Sequence, residues 1–265
     1  MKILLFGDIV GRVGREAVKL VLPELREKYS PDLTIANGEN LAHGKGVTSE
    51  VLSELLAAGI DVFTSGNHVW DRKEVFDVFA DARLSDKLMR PANYPPGTPG
   101  EGAKFLTIAT KNVLVLNLLG RVFSRVDSDD PFRAADEILK SFAPRRPQIT
   151  LVDFHAEATS EKAALAWHLA GRVTAVWGTH THVPTRDERI LPGGTGFVTD
   201  LGMCGLADGI IGMEREPIIS SFLTQLPMQF ESPASGPAVV NAMILTVEAG
   251  KTTAMEPYQK YLTVN

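Results

Sequence analysis

An alternation running through the first two-thirds of the chain constrains the fold most: short apolar runs rich in Val, Ile and Leu, separated by amphipathic stretches. Residues 2–6 (KILLF), 32–36 (DLTIA), 61–65 (DVFTS), 112–118 (NVLVLNL), 149–154 (ITLVDF) and 173–177 (VTAVW) read as strands. Their continuous apolar character implies sheets covered on both faces, since a strand with one wet face alternates polar and apolar residues. Between them, residues 15–29, 48–58, 71–80, 131–142 and 158–170 carry helical spacing. In the fourth, Phe132, Ala135, Ile138, Leu139 and Phe142 share one face. Asp71 followed by Glu74 predicts a capping box opening the helix at 71.

Residues 90–104, dense in Pro and Gly, read as an ordered surface loop. From about residue 186 the helical signal fades, and RILPGGTGFVTD and AVVNAMILTVEAG read as β-structure joined by turns. The 265 residues hold no repeat or linker, so the expectation is one α/β domain over 1–265 with two sheets. A formal net charge of −5 argues against a surface built for long nucleic acid, while a small nucleotide remains an admissible ligand. The one cysteine, Cys204, lies in an apolar stretch and reads as a buried structural thiol, consistent with a cytoplasmic setting. The N-terminal apolar run is too short for a signal peptide, and no run reaches a membrane span.

The chemistry lies at the strand ends. Asp8 follows the first strand, Glu39 and Asn40 the second, Asn67 and His68 the third, His155 the LVDFH strand, and His180 and His182 the next. In open α/β sheets, sites form beyond the carboxyl ends of strands. A lone Asp or Gly-Asn-His there is an ordinary turn. Four of the six histidines together with two carboxylates at such exits are not. His168, inside a predicted helix, reads as a packing or surface residue, and His43 in LAHGKG as either a substrate contact or a solvated loop residue. Imidazoles, carboxylates and amide oxygens together suit Mn, Fe or Zn better than an all-oxygen Mg or Ca site. Seven donors exceed the needs of one tetrahedral zinc. They match two ions about 3.5–4 Å apart that share a carboxylate. The rival reading of Gly7, Gly11 and Gly14 as a phosphate cradle fits neither GxGxxG nor the Walker pattern.

With Gly7-Asp8, Gly38-Glu39-Asn40, Gly66-Asn67-His68, His155 and His180-Thr181-His182 in this order, the sequence resembles the calcineurin-like metallophosphoesterase family, and within it the YmdB-like branch. The resemblance implies an α/β/β/α sandwich of two sheets and phosphodiesterase activity on small phosphodiesters, foremost 2′,3′-cyclic nucleotides. It assigns a first metal to Asp8, Glu39, Asn40 and His182, and a second to Glu39, Asn67, His155 and His180. A metal-bridging hydroxide is then the in-line nucleophile and His68 the general acid. Fe or Mn is the expected metal pair, with Zn or Mg as alternatives.

The wider family has Asp-x-His at the first motif, whereas this chain has Asp8-Ile9-Val10; Asn40 is expected to fill the position that histidine leaves. Arg12 and His43 are candidate substrate contacts, with Arg15, Lys45 and Arg72 near the motifs. No membrane or stable long nucleic-acid partner is expected, and apolar residues in the C-terminal third suggest a homo-oligomer. The alternatives within enzymes are a phosphomonoesterase or nucleotidase and an RNA-directed nuclease. Outside enzymes, the alternative is a metal- or nucleotide-binding regulator with little turnover.

Overall fold

A computed structural model describes residues 1–265. In chain order the elements are β1 (Lys2–Ile9), α1 (Gly11–Tyr29), β2 (Leu33–Asn37), α2 (Ser49–Ala58), β3 (Val62–Thr64), α3 (Val75–Ala80) and α4 (Ala82–Ser85). There follow β4 (Ala103–Ile108), β5 (Lys111–Leu119), α5 (Pro131–Phe142), β6 (Ile149–His155), α6 (Thr159–Leu169) and β7 (Ala175–Thr179). The chain ends with β8 (Arg189–Leu191), β9 (Thr195–Val198), β10 (Met203–Leu206), α7 (Arg215–Thr224), β11 (Gly236–Glu248) and β12 (Lys251–Val264).

Two six-stranded sheets result, ordered β12-β11-β10-β1-β2-β3 and β4-β5-β6-β7-β9-β8. At the centre of the first, β10, β1, β2 and β3 run parallel; in the second, β5, β6, β7 and β9 do. Side-chain alternation decides what each face meets. Ile3 and Leu5 of β1 point into a core shared with Val113, Val115, Leu151 and Trp177 of the second sheet. Leu4 and Phe6 point the other way, onto α1 and α2 through Val18, Leu22 and Leu52. The outer face of the second sheet is covered by α5 and α6 through Ala135, Leu165 and Leu169. The layers are therefore α/β/β/α. Burying each large aliphatic side chain contributes about 1.5–3 kcal/mol, so a one-residue slip of β1 would exchange its two apolar faces at once.

All six strands expected from the apolar runs form, and the Pro/Gly-rich loop gives way to β4, Ala103–Ile108, which overlaps the last two residues of the expected loop. Three sequence readings are corrected. Helix α3 begins at Val75, not at 71, and the capping box does not form: the Asp71 carboxylate is taken by His68 Nδ1 at 2.8 Å, and Glu74 makes no side-chain cap. Helix α1 begins at Gly11, whose N–H donates to Asn40 C=O at 2.9 Å. The C-terminal third is not purely β, because Arg215–Thr224 is helical, with Phe222 and Leu223 facing solvent. That outward apolar face leaves α7 without the one-sided pattern that marks a packed helix. No helix is long and apolar enough to cross a membrane.

Candidate metal centre

The parallel strands of both sheets release their carboxyl ends at one edge of the sandwich. Sheet one delivers Asp8 from β1, Glu39 and Asn40 after β2, and Asn67 and His68 after β3. Sheet two delivers His155 from the end of β6 and His180 and His182 after β7. Close approach is possible because Gly66 has no Cβ: one placed there would collide with the His155 ring. At Gly7 a Cβ would collide with the Gly202 carbonyl, which accepts the Asp8 N–H at 3.2 Å.

His155 Nε2 is the hub. It lies 3.1 Å from Glu39 Oε1, 3.0 Å from Asn67 Oδ1 and 3.0 Å from His180 Nδ1. The outer nitrogens show which electron pairs point inward. His180 Nε2 donates to Glu157 Oε2 at 2.9 Å, leaving its Nδ1 lone pair facing the hub. His155 Nδ1 donates to Thr179 Oγ1 at 3.0 Å, and that hydroxyl in turn donates to Asp153 at 2.8 Å. Four lone-pair atoms thus converge, and one proton can satisfy only one of the three contacts. A cation satisfies all of them. Asp8 Oδ1, fully buried, has no hydrogen-bond partner at all, an expensive state for a carboxylate oxygen unless an ion takes it. The residues present therefore fit a metal.

The electrostatics agree. Burial pushes the Glu39 carboxyl up, but His155 and the His68 N–H, which donates to Oε2 at 2.9 Å, hold it down to about 2. Burial opposes charge on His155, yet Glu39, Asp8 and Asp153 raise it to about 9, so a proton takes the place of positive charge among these carboxylates. Burial and the adjacent His155 lower His180 to about 3, leaving a neutral imidazole.

The other half of the site is built around Asp8, whose Oδ2 accepts the His180 N–H at 3.1 Å. His182 Nδ1 donates to the Ile211 carbonyl at 2.8 Å, aiming Nε2 inward, 3.9 Å from Asp8 Oδ1. The Asn40 amide lies 3.2 Å from His182 Nε2 and 3.3 Å from Glu39 Oε1 through its nitrogen. A half-turn of the amide puts its oxygen there, the orientation a ligand needs. Val10, where the wider family has histidine, is buried among Met203, Met213, Ile218 and Val239 and belongs to the core.

All eight residues expected as metal ligands or general acid come together. Arg12 and His43 do not join them: both are exposed and neither lines the cleft beside the centre. Arg15 and Arg72 instead support the loop carrying Glu39 and Asn40, donating to the carbonyls of Leu41 and of Ala42 and Lys45. The cleft, about 280 Å³, is lined by Asn67, His68, His155, Glu157 and His180 together with the Phe123–Val126 loop.

Sequence reasoning missed this loop, for which no ligand spacing exists, and the polar floor of Asn37, Asp153 and Thr179. An Asp inside the apolar run LVDFH was the available signal for the floor, because a buried strand carboxylate needs partners. Asp153 has them, although burial still raises its carboxyl to about 6.

Two mixed sheets between helices, with carboxylate, amide and imidazole donors at their shared edge, define a metallophosphoesterase of the calcineurin-like fold, with a centre for divalent metals. A family model described as "YmdB-like protein" matches residues 4–258, and the chain belongs to that family. It is 50% identical over 248 residues to a Bacillus subtilis protein named 2′,3′-cyclic-nucleotide 2′-phosphodiesterase, covering 94% of this chain and 92% of that one. Among solved structures, a Thermus thermophilus protein superposes with a TM-score of 0.91 at 43% identity, covering 100% of both chains. A Mycoplasma pneumoniae structure described as a novel phosphatase has a TM-score of 0.91 at 33% identity, covering 100% of this chain and 94% of that one.

Proposed function

We propose that this chain is a metal-dependent phosphodiesterase that opens 2′,3′-cyclic nucleotides, the substrate class in the name of its Bacillus subtilis relative. The observation that carries the metal dependence is the convergence of lone pairs on His155 Nε2 beside the unpartnered Asp8 Oδ1. Asp8, Glu39, Asn40 and His182 would hold one ion and Glu39, Asn67, His155 and His180 a second, with Glu39 shared. Mixed nitrogen and oxygen donors suit Mn, Fe or Zn, and the family resemblance favours Fe or Mn among them. When bound, such ions supply Lewis-acid charge to the phosphoryl group and an acidified water.

The side chains account for the rest of the reaction. Opening the ring adds water across one P–O bond, so a proton must reach the departing ribose oxygen. His68 lines the cleft, and its Nδ1 is committed to Asp71 Oδ2 at 2.8 Å, which leaves Nε2 as the nitrogen that can deliver that proton. Its backbone N–H also donates to Glu39, tying the acid to the metal-binding loop. The cleft, about 280 Å³, admits a nucleotide-sized diester.

The test is turnover of 2′,3′-cyclic AMP, 3′,5′-cyclic AMP and 5′-AMP by protein loaded separately with Mn, Fe, Zn or Mg. Hydrolysis of the 2′,3′-cyclic diester is expected. Cleavage of the monoester alone, or metal binding with no turnover in any form, overturns the reading. His68→Ala should keep its metal and lose roughly 10²–10⁴-fold in kcat, the range for a positioned general acid. The loss should shrink on a p-nitrophenyl ester, whose leaving group needs no proton.

A further inference from the structure

One side chain of the cleft is absorbed neither by the metal centre nor by the fold. Phe123 stands 83% exposed in the lining that also holds His68 and His180, and it is the only Phe, Tyr or Trp there. Its backbone is left-handed, with φ 62°, an unfavourable conformation for a bulky aromatic residue.

The loop is nonetheless anchored. The Glu161 carboxylate accepts the Arg121 N–H at 2.9 Å and the Val122 N–H at 3.2 Å, and the Ser124 N–H closes a turn on the Arg121 carbonyl at 3.2 Å. Gly120 N–H donates to the His155 carbonyl at 2.9 Å, coupling the base of the loop to a candidate ligand. Buried Asn93 grips the far side through the carbonyls of Leu119 and Asp129, both at 2.8 Å. A strained turn held at both ends thus keeps an apolar ring largely in water. Strain of this kind persists where the surroundings over-determine it and clusters at ligand clamps. Arg125, two residues on, is exposed in the same lining and forms no ion pair in a chain of net charge −5.

The geometry points to Phe123 as the platform on which the base of the bound nucleotide stacks, making it the specificity-determining residue for nucleosides over simple diesters. This rests on the cyclic-nucleotide reading above. The one aromatic ring in the cleft lining accommodates one planar base by its face, and stacking tolerates any base because each has a π-face. Purines, with the larger face, are held better than pyrimidines. Arg125 adds a cation beside the base and ribose.

The test compares 2′,3′-cyclic AMP with methyl ribofuranoside 2,3-cyclic phosphate, which has the same reacting diester and no base. Phe123→Ala should lower the ratio of the two kcat/KM values by roughly five- to 150-fold, the span of base–aromatic stacking. Because both substrates are read in one preparation, loss of folded protein cancels. Phe123→Tyr should keep the ratio. An unchanged ratio in Phe123→Ala overturns the inference, as does equal loss on both substrates.

If the wild type turns over neither diester, the phosphodiesterase reading fails while stacking is still decided by binding. Emission from Phe123→Trp, corrected for wild-type emission, should then be quenched by adenosine 3′-monophosphate and not by ribose 3-phosphate. Absence of quenching by the nucleotide overturns it.

Discussion

Glu39 is the residue on which the metal centre turns. One oxygen faces His155 Nε2 at 3.1 Å while the other accepts the His68 N–H at 2.9 Å, so a single side chain joins the hub to the candidate acid. Glu39→Gln keeps the shape and removes the charge. It should lose metal, read by elemental analysis after dialysis, with at least one ion absent; full occupancy of two ions would count against a shared ligand. Cys204 illustrates the opposite kind of residue. It is fully buried, its thiol is pushed up to about 12 by that burial, and it donates to the Asn241 carbonyl at 3.4 Å, as a packed structural thiol should. The ligand types were legible because five strand exits each end in a metal-competent side chain. The amide orientation of Asn40, the polar floor under His155 and the Phe123 wall were not legible, because each depends on a partner 25 or more positions away.

At the scale of elements, the decisive piece is the turn after β7. His180 and His182 both have left-handed backbones, at φ 99° and 64°, and something must hold them there. Between them, Thr181 donates to Asp200 Oδ2 through its N–H at 3.1 Å and its hydroxyl at 2.8 Å. The same oxygen accepts from Lys162 of α6 at 2.7 Å, and both members of this ion pair are 1% exposed. Lys162→Met leaves Asp200 buried without its counter-charge. A loss of about 3–5 kcal/mol is expected from breaking such a pair, measured by denaturant unfolding. Metal affinity should weaken with it, since the histidine turn loses its brace. Retained stability and metal affinity would show that the turn holds itself. The helix and strand positions were readable from periodicity, except where a strand follows directly on a Pro/Gly-rich loop, as in β4, or a helix faces solvent on its apolar side, as in α7.

At the scale of the whole molecule, two sheets meet across an apolar core that gives way, at one edge, to a cluster of like-charged and lone-pair groups. That edge makes the metal-free protein sensitive to pH. His155 is raised from 6.5 to about 9, so its protonated form contributes stability that is fully present below about 6.5 and is lost as pH rises through about 9. Chelator-treated protein should therefore lose Tm between those values, and protein loaded with Mn should lose much less. A Tm that stays level or climbs in the chelated sample would refute the assignment. Metal binding should also release protons over the same range, because the ligand nitrogen must be bare. By itself the sequence determined the alternation of strands and helices, the kind of donor at each strand end and the net negative charge, all carried by residue type and short-range spacing. Only the tertiary structure decided that those ends belong to two different sheets, that Asn40 reaches His182, and that Phe123 stands over the cleft. The physical reason is that spacing along a chain sets which way a side chain points. What it meets there is set by the packing of distant strands.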